Sequence, residues 1–437
     1  MKLLIRWSNA LMERYLPDPY IFVAILTLAV FLLGLGFTDS GPLDMIVHWG
    51  DGFWGLLAFT MQMVIVLVAG YVLAISPVFK KLLSTLAGLA KSPGSAIILV
   101  SVVALIACWI NWGFGLVIGA LFAKEIAKKV TNVDCRLLIA SAYSGMIIWH
   151  GGLGGSIPLS IATADHPFAD IMGVVSTSET IFSTYNVIIV ITLLILIPIL
   201  NRFMMPKPED TVTVDPKLLE DHIEMEASTD NTPASRLENS LIISMLIGAI
   251  GLIYLIQHFI TKGFDLNLNI VNFIFLILGV IFHGTPKRFL AAVTTAVKTA
   301  GGIIIQFPFY AGIMGMMVAS GLAGVMSEWF VSISSDTTFP LFTFYAAGLV
   351  NFFVPSGGGQ WAVQAPIMLD AAQTLGVSYS KTAMAIAWGD AWTNMIQPFW
   401  ALPALAIAGL RAKDIMGYCI FILLVSGVII SVGLYFF

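Results

Sequence analysis

Long apolar runs alternate with short polar breaks along this chain, and the runs have the length of bilayer spans. The clearest cover residues 20–37, 55–76, 180–200, 240–260, 268–284 and 415–436. Each approaches the ~20 residues that a helix needs to cross ~30 Å of hydrocarbon. Composition agrees with the pattern: of 437 residues, 58% are hydrophobic and 11% charged, and the mean hydropathy is +0.93. A soluble chain of this length has no interior large enough for that much apolar surface, so lipid is its solvent. The expected fold class is an all-α polytopic membrane protein. The first run follows Lys2, Arg6 and Arg14 and lacks a small-residue cleavage site, so it reads as a retained helix rather than a secretory signal.

One long polar stretch interrupts the pattern. Residues 201–238 hold nine Asp/Glu and four Lys/Arg, which predicts a solvated cytoplasmic linker over 201–239 between a first half, 1–200, and a second, 240–437. Cys108, Cys135 and Cys419 are scattered without paired spacing, which points to neither a disulfide framework nor a zinc site, and no cofactor is indicated. The net charge of −4 and the lack of a basic patch give nucleic-acid binding no support.

The two halves resemble each other. The segment 61–86 aligns with 305–330, setting Gln62 on Gln306, and "INWGFG" (110–115) aligns with "VNFFVPSGGG" (350–359), setting Asn111 on Asn351. "ASAYSG" (140–145) matches "AIAWGD" (385–390), and Pro158 falls near Pro398. Four matches in one order indicate an internal repeat.

Basic residues orient it, because cytoplasmic loops retain positive charge. If 96–123 enters the bilayer and returns, the clusters around Lys80, Lys91, Lys124 and Arg136 all lie inside. Only Lys262 and Lys381 of the 21 basic residues are then left outside. As a helix, 96–110 is about 22 Å long, enough to pass the midplane but not to cross. The predicted arrangement has about nine transmembrane helices: 21–37, 55–76, 137–161, 180–200, 240–260, 268–284, 300–320, 382–410 and 415–436. Re-entrant hairpins occupy 96–123 and 340–371, and the N-terminus is cytoplasmic. Equivalent helices then run in opposite directions, an inverted repeat of the kind many secondary transporters use.

Each half also carries an interrupted helix. Gly151, Gly152, Gly154, Gly155 and Pro158 should break 137–161, and Pro398 should kink 382–410. Non-helical backbone is tolerated at membrane depth only where protein or a water-filled cavity covers it. Hairpin tips and breaks should therefore converge on one central cavity, where a half-helix N-terminus attracts an anion. The tip glycines Gly357, Gly358 and Gly359 would free the amides of 356–360 to face it. No Lys or Arg lies between 137 and 201, within either hairpin, or in 382–410, which argues against a second substrate carboxylate held by a guanidinium. Candidate substrate contacts are Asn111, Trp112 and Gly113 of the first tip; Ser144 and Ser156 of the first broken helix; Asn351, Ser356 to Gly359 and Gln360 of the second tip; and Thr393, Asn394 and Gln397 of the second broken helix. Trp109, Trp112, Phe114, Phe352, Phe353, Trp361, Trp388 and Trp392 are candidate apolar walls. Together they suit a small monoanion with a short apolar tail. Asp390 stands alone as an intramembrane acid. A charge there costs about 2.5–3.5 kcal/mol on insertion scales, so it should take up a proton or hold a cation. Asp390, with Asn111 and Asn351, is the candidate for coupling to H⁺ or Na⁺, and His150 is a candidate proton relay.

Six stretches together resemble the short-chain fatty acid transporter (AtoE) family: "LPDP" (16–19), "WGDGFWGLLAFTMQM" (49–63), "INWGFGLVIGA" (110–120), "QFPFYAGI" (306–313), "VPSGGGQW" (354–361) and "QPFWALPALAIAGL" (397–410). The resemblance implies a carrier of monocarboxylates such as butyrate or acetoacetate in a bacterial inner membrane. It also implies kinship with a wider ion-transporter group of paired re-entrant hairpins, elevator motion and homodimers. In that group hairpin-tip Asn and Ser residues bind the coupling ion and the substrate carboxylate, which here implies Asn111, Asn351 and Ser356. A carrier of dicarboxylates or amino acids, or an anion channel, is the alternative. An intramembrane enzyme is not expected: Asp390 has no second carboxylate beside it, and neither a Gly-X-Ser-Gly sequence nor a His partner for Ser356 is evident. Neither a catalytic residue nor a metal ligand is assigned.

Overall fold

The computed structural model describes residues 19–214, 219, 232–401, 404–405 and 408–437. The basic N-terminus, most of "LPDP", the middle of the 201–239 linker and four residues of the 382–410 segment lie outside the described residues. All regular elements among the described residues are helical. The first half runs α1 (Pro19–Phe37), α2 (Pro42–Gly52), α3 (Leu57–Ala74), α4 (Pro77–Ala87), α5 (Pro93–Ile110) and α6 (Trp112–Lys129). Then come α7 (Cys135–Tyr143), a 3₁₀ stretch at Ser144–Gly151, α8 (Ser156–Ile161) and α9 (Thr184–Phe203). After the linker α10 (Leu241–Lys262) stands alone, followed by α11 (Leu268–His283), α12 (Pro286–Val297), α13 (Gly301–Ala319), α14 (Leu322–Ile333), α15 (Phe339–Val350) and α16 (Gly357–Leu375). The chain ends with α17 (Tyr379–Thr393), two 3₁₀ turns at Asn394–Ile396 and Pro398–Ala401, and α18 (Ala412–Phe436).

Local chemistry sets these boundaries. Ser76, Ser92, Asp134, Ser240, Asn267, Thr285 and Ser378 each accept a backbone N–H at a helix start, satisfying one of the orphan donors there. Pro77, Pro93 and Pro286 follow three of those caps, at the position where a missing N–H costs nothing. The succession long helix, short helix, helix pair, interrupted helix, long helix occurs once in α3–α9 and again in α13–α18. Gln62 and Gln306 each sit in the second turn of their helix.

Among the described residues eight helices are long and apolar enough to cross a bilayer: α1, α3, α5, the run Cys135–Ile161, α9, α10, α13 and α18. That differs from the nine expected in three ways. Ser92 and Pro93 start α5 three residues before the expected 96, giving 18 residues and about 27 Å, so its length alone does not stop it crossing. The α11 helix has only 16 residues, and the 382–410 segment breaks after Thr393. Four short helices, α2, α4, α12 and α14, fill stretches expected to be loops. α4 buries Leu83 and Ala87 on one face and exposes Lys80 and Lys81, and α12 buries Ala292 and Ala296 and exposes Arg288.

Burial ranks the helices by role. Along Cys135–Ile161, 94% of the apolar window is buried, against 28% for α10. The interrupted helix is the centre of the protein, while α10 leaves most of its apolar surface exposed. The start of the linker is tied to the helical body by a few hydrogen bonds while most of its residues stay exposed. Val212 donates its N–H to Asp134 Oδ2 at 2.9 Å and accepts one from Cys135 at 2.7 Å, and Arg136 donates to the Asp210 carbonyl at 2.7 Å.

Candidate functional site

Two helix pairs, α5–α6 and α15–α16, end in tips that meet the two interrupted helices. In the first, a single residue makes the turn. Asn111 Oδ1 accepts the Phe114 N–H at 2.9 Å and so caps α6, while its Nδ2 donates to the Val66 carbonyl at 3.4 Å. The second tip, 351–356, is longer. Ser356 caps α16 by accepting the Gly359 N–H at 3.4 Å. Asn351 does something else: its Nδ2 donates to the Asp390 carbonyl and to Thr393 Oγ1, both at 2.9 Å, and its own carbonyl accepts Gln397 Nε2 at 2.6 Å. The work of Asn111 is thus divided in the second half between Ser356, which caps, and Asn351, which ties the tip to the broken helix.

The triple glycine is explained by close approach. A Cβ on Gly357 would overlap His150 Nε2 and crowd the Trp149 ring. On Gly358 it would come within 3.0 Å of Phe59 and 3.2 Å of Phe307, and on Gly359 it would press on Tyr310. At Gly357 and Gly359 no side chain fits without moving a neighbour, and at Gly358 Phe59 and Phe307 would have to give by a few tenths of an ångström.

Both interruptions have identifiable chemistry. Pro398 lacks the N–H that a helix would donate to the Asn394 carbonyl. That carbonyl instead accepts the Tyr143 hydroxyl at 2.5 Å and the Gln397 N–H at 2.9 Å. Trp149 Nε1 donates to Asn394 Oδ1 at 2.9 Å, and Asn394 Nδ2 donates to Gln397 Oε1 at 3.1 Å, so the two broken helices lock together at Asn394. In the first break the freed Gly151 carbonyl accepts Trp109 Nε1 at 3.2 Å and Asn186 Nδ2 at 2.9 Å. Gly152 and Gly154 lie so close to Trp109 and Cys108 of α5 that a Cβ at either would collide.

A cavity of about 170 Å³ opens where these parts converge. Trp112 reaches it from the first tip, Trp149 and Ser156 from the first broken helix, Ser356, Gly357 and Gly358 from the second tip, and Asp390 and Asn394 from the second broken helix. Met63, Leu67, Met146, Thr299, Gln306, Phe307 and Trp400 complete much of the wall, and no Lys or Arg is among the described lining residues. The cavity is smaller than the ~300–1,000 Å³ of pockets for drug-sized ligands. Its α16 end offers the N-terminus of a 19-residue helix, a favourable seat for an anion. Asp390 Oδ1 lies 3.4 Å from His150 Nε2, and both side chains are fully buried. Neither Asp390 oxygen nor either His150 ring nitrogen has a hydrogen bond to another described group. Among the described residues no three His, Cys, Asp or Glu cluster as a metal site.

Of the residues singled out from the sequence, Trp112, Ser156, Ser356, Gly357, Gly358, Asp390 and Asn394 line this cavity, and Gly113 lines an adjoining one. The others support it from behind. Asn111, Asn351, Thr393 and Gln397 spend their side chains on caps and backbone. Ser144 donates to the Ser141 carbonyl at 2.7 Å and accepts Asn201 Nδ2 at 3.1 Å. Gln360 donates to the Ala347 carbonyl at 2.8 Å and to Gln364 Oε1 at 3.0 Å, and Gly359 packs on Tyr310.

The aromatic wall needs correction. Of the eight rings expected, only Trp112 lines the cavity. Trp361 packs edge-on against Phe168, Trp388 donates to Asn186 Oδ1, Trp392 donates to the Leu423 carbonyl, and Phe353 is exposed on the outer surface. The cavity rings are Trp112, Trp149, Phe307 and Trp400. Which face of a helix meets the cavity is a tertiary fact. Gln306 carried a signal through its match to Gln62, yet Gln62 turns away and donates to Asn269 Oδ1 at 2.8 Å. Thr299 carried none.

An all-helical, multi-pass membrane protein with a polar-and-aromatic cavity where its two interrupted helices meet is the class that this geometry defines. The family model described as "Short chain fatty acid transporter" matches residues 1–437. A protein of Escherichia coli (strain K12), named "Putative short-chain fatty acid transporter", is 48% identical over 434 residues, covering 99% of each chain. One of Haemophilus influenzae with the same name is 45% identical over 440 residues, covering 99% of this chain and 98% of its own. Among solved structures, the YdaH transporter of Alcanivorax borkumensis, described as having an unusual topology, aligns with a TM-score of 0.61 at 16% identity over 96% of this chain and 97% of its own, a likeness of fold alone. The chain belongs to the short-chain fatty acid transporter family, and it is a transporter, not an enzyme.

Proposed function

We propose that this protein is a secondary transporter that moves short-chain monocarboxylates, butyrate- or acetoacetate-like, across a bacterial inner membrane in symport with H⁺ or Na⁺. One observation carries the proposal: a single buried cavity joins the α16 N-terminus, which suits a carboxylate, to Asp390 with no Lys or Arg in its described wall. Two anions in one buried space repel strongly at low dielectric, so loading substrate beside an ionised Asp390 needs a cation or a proton. The substrate carboxylate sits at the amides of Gly357 and Gly358, with Ser156, Ser356 and Asn394 as neutral donors. The carbons next to the carboxylate lie along Trp149 and Phe307, and the tail leaves this cavity past Trp112 and Trp400. Asn111 and Asn351 act indirectly, by holding the two tips.

The two halves form an inverted repeat, and α5–α6 and α15–α16 are hairpins that re-enter from opposite faces. Helix α10 supports this, since it has no counterpart in the first half and one extra crossing turns the second copy over. The N-terminus is cytoplasmic, and 201–239 is a cytoplasmic linker. Uptake into proteoliposomes under imposed H⁺ or Na⁺ gradients, over C2–C6 acids, tests the assignment. Gradient-driven butyrate accumulation with labelled-butyrate counterflow is expected. Uptake competed by succinate but not by butyrate would replace it with a dicarboxylate carrier, and loss of counterflow with a channel.

A further inference from the structure

We infer that a second, apolar chamber next to the cavity receives the acyl tail and sets the chain length of the acids this protein prefers, an inference that rests on the monocarboxylate assignment above. The chamber measures about 240 Å³ and shares Leu67, Trp112, Thr299 and Trp400 with the first cavity as common wall. Beyond that wall it is lined by Leu116, Val117 and Ala120 of α6, Ala142 and Tyr143 of α7, and Tyr71 of α3. Two of its three hydroxyls are spent elsewhere. Tyr143 donates to the Asn394 and Gln397 carbonyls, and Thr299 donates to the Ala296 carbonyl at 2.7 Å. What Tyr143 presents to the chamber is ring, not donor.

The two spaces therefore divide as a short fatty acid does. The first holds helix-terminal amides, Ser156, Ser356, Asn394 and Gln306; the second is walled by aliphatic and aromatic carbon, with the Tyr71 hydroxyl as its remaining polar group. Between them stand Trp112 and Trp400, edge to face with ring centroids 5.7 Å apart. A methylene moved from water into such a chamber gains roughly fourfold in affinity. Affinity should thus climb with each carbon until the chamber is filled, then fall. The limit is set by side chains that are small where α6 meets α7, above all Ala120 and Ala142, and by Leu116.

The experiment is inhibition of labelled-butyrate uptake by straight-chain C2–C8 acids, in proteoliposomes containing the full chain. Wild-type inhibition should strengthen about fourfold per carbon from acetate up to an optimum. Ala142→Leu and Ala120→Leu should lower the hexanoate-to-acetate affinity ratio at least tenfold. Leu116→Ala should move the optimum one or two carbons longer, a gain that misfolding cannot imitate. If all three variants keep the wild-type ratio, or weaken acetate and hexanoate alike, the chamber does not hold the tail. Failure of the wild type to take up any of these acids would instead overturn the assignment on which the inference rests.

Discussion

Replacing Gly357 or Gly359 by alanine sets two physical effects against each other, and the sign of the result decides between them. Both residues lie in the first turn of α16, where alanine is the better helix former by up to ~1 kcal/mol. If the glycines were there only for flexibility, either substitution would stabilise the protein. The structure says otherwise. The added methyl on Gly357 would enter the space of His150 Nε2 and the Trp149 ring, and on Gly359 it would lie 2.5 Å from two Tyr310 ring carbons. His150, Trp149 and Tyr310 are all buried, at 0%, 4% and 0% exposure, so the methyl can be taken in only by displacing packed rings. Overpacking of this kind costs about 1–3 kcal/mol.

Because the tip carries the proposed carboxylate site, that cost should appear partly as substrate affinity, with KM rising about five- to 150-fold if the tip yields. If the tip holds, it should appear as lower thermal stability in detergent. Gly324→Ala is the control, since nothing lies within 4 Å of the place its methyl would take and α14 should simply gain helix stability. The assays are butyrate uptake kinetics and thermal unfolding of the purified protein. A Gly357→Ala protein as stable as Gly324→Ala, with wild-type KM, would refute the close-approach reasoning.

Three further outcomes are expected. Asp390→Asn keeps the shape of the side chain but not its charge, so counterflow exchange should persist while accumulation under H⁺ or Na⁺ gradients is lost; full gradient-driven accumulation would remove Asp390 from coupling. Asn351→Ala deletes two buried hydrogen bonds at 2.9 Å, at about 0.5–1.5 kcal/mol each, since both acceptors keep another partner. It should lower both stability and maximal uptake rate, and a silent variant would mean the second tip is held by something else. Cysteines replacing Lys91 and Lys129, both exposed at the base of the α5–α6 pair, should label from the same, cytoplasmic face. The native Cys108, Cys135 and Cys419 are buried and add no background. Labelling from opposite faces would mean that α5 crosses the bilayer.

The sequence by itself determined that this is a helical membrane protein with two interrupted helices. Apolar run length and the scarcity of charge leave no other solvent than lipid, and Pro398 or a run of glycines breaks a helix wherever it stands. Family membership was also legible, because "VPSGGGQW" and "QPFWALPALAIAGL" are local strings. Only the tertiary structure decided which groups face the cavity. Trp361 and Trp388 read like Trp149 and Trp400, yet the first pair turns into the protein core and the second toward the site. Helix rotation sets that difference, and in a chain apolar on every face no hydrophobic stripe reports the rotation. The pairing of His150 with Asp390, 240 residues apart in the chain, likewise arises only when the second tip presses the two broken helices together. Contacts between distant segments depend on how whole helices pack, and local sequence does not encode that packing.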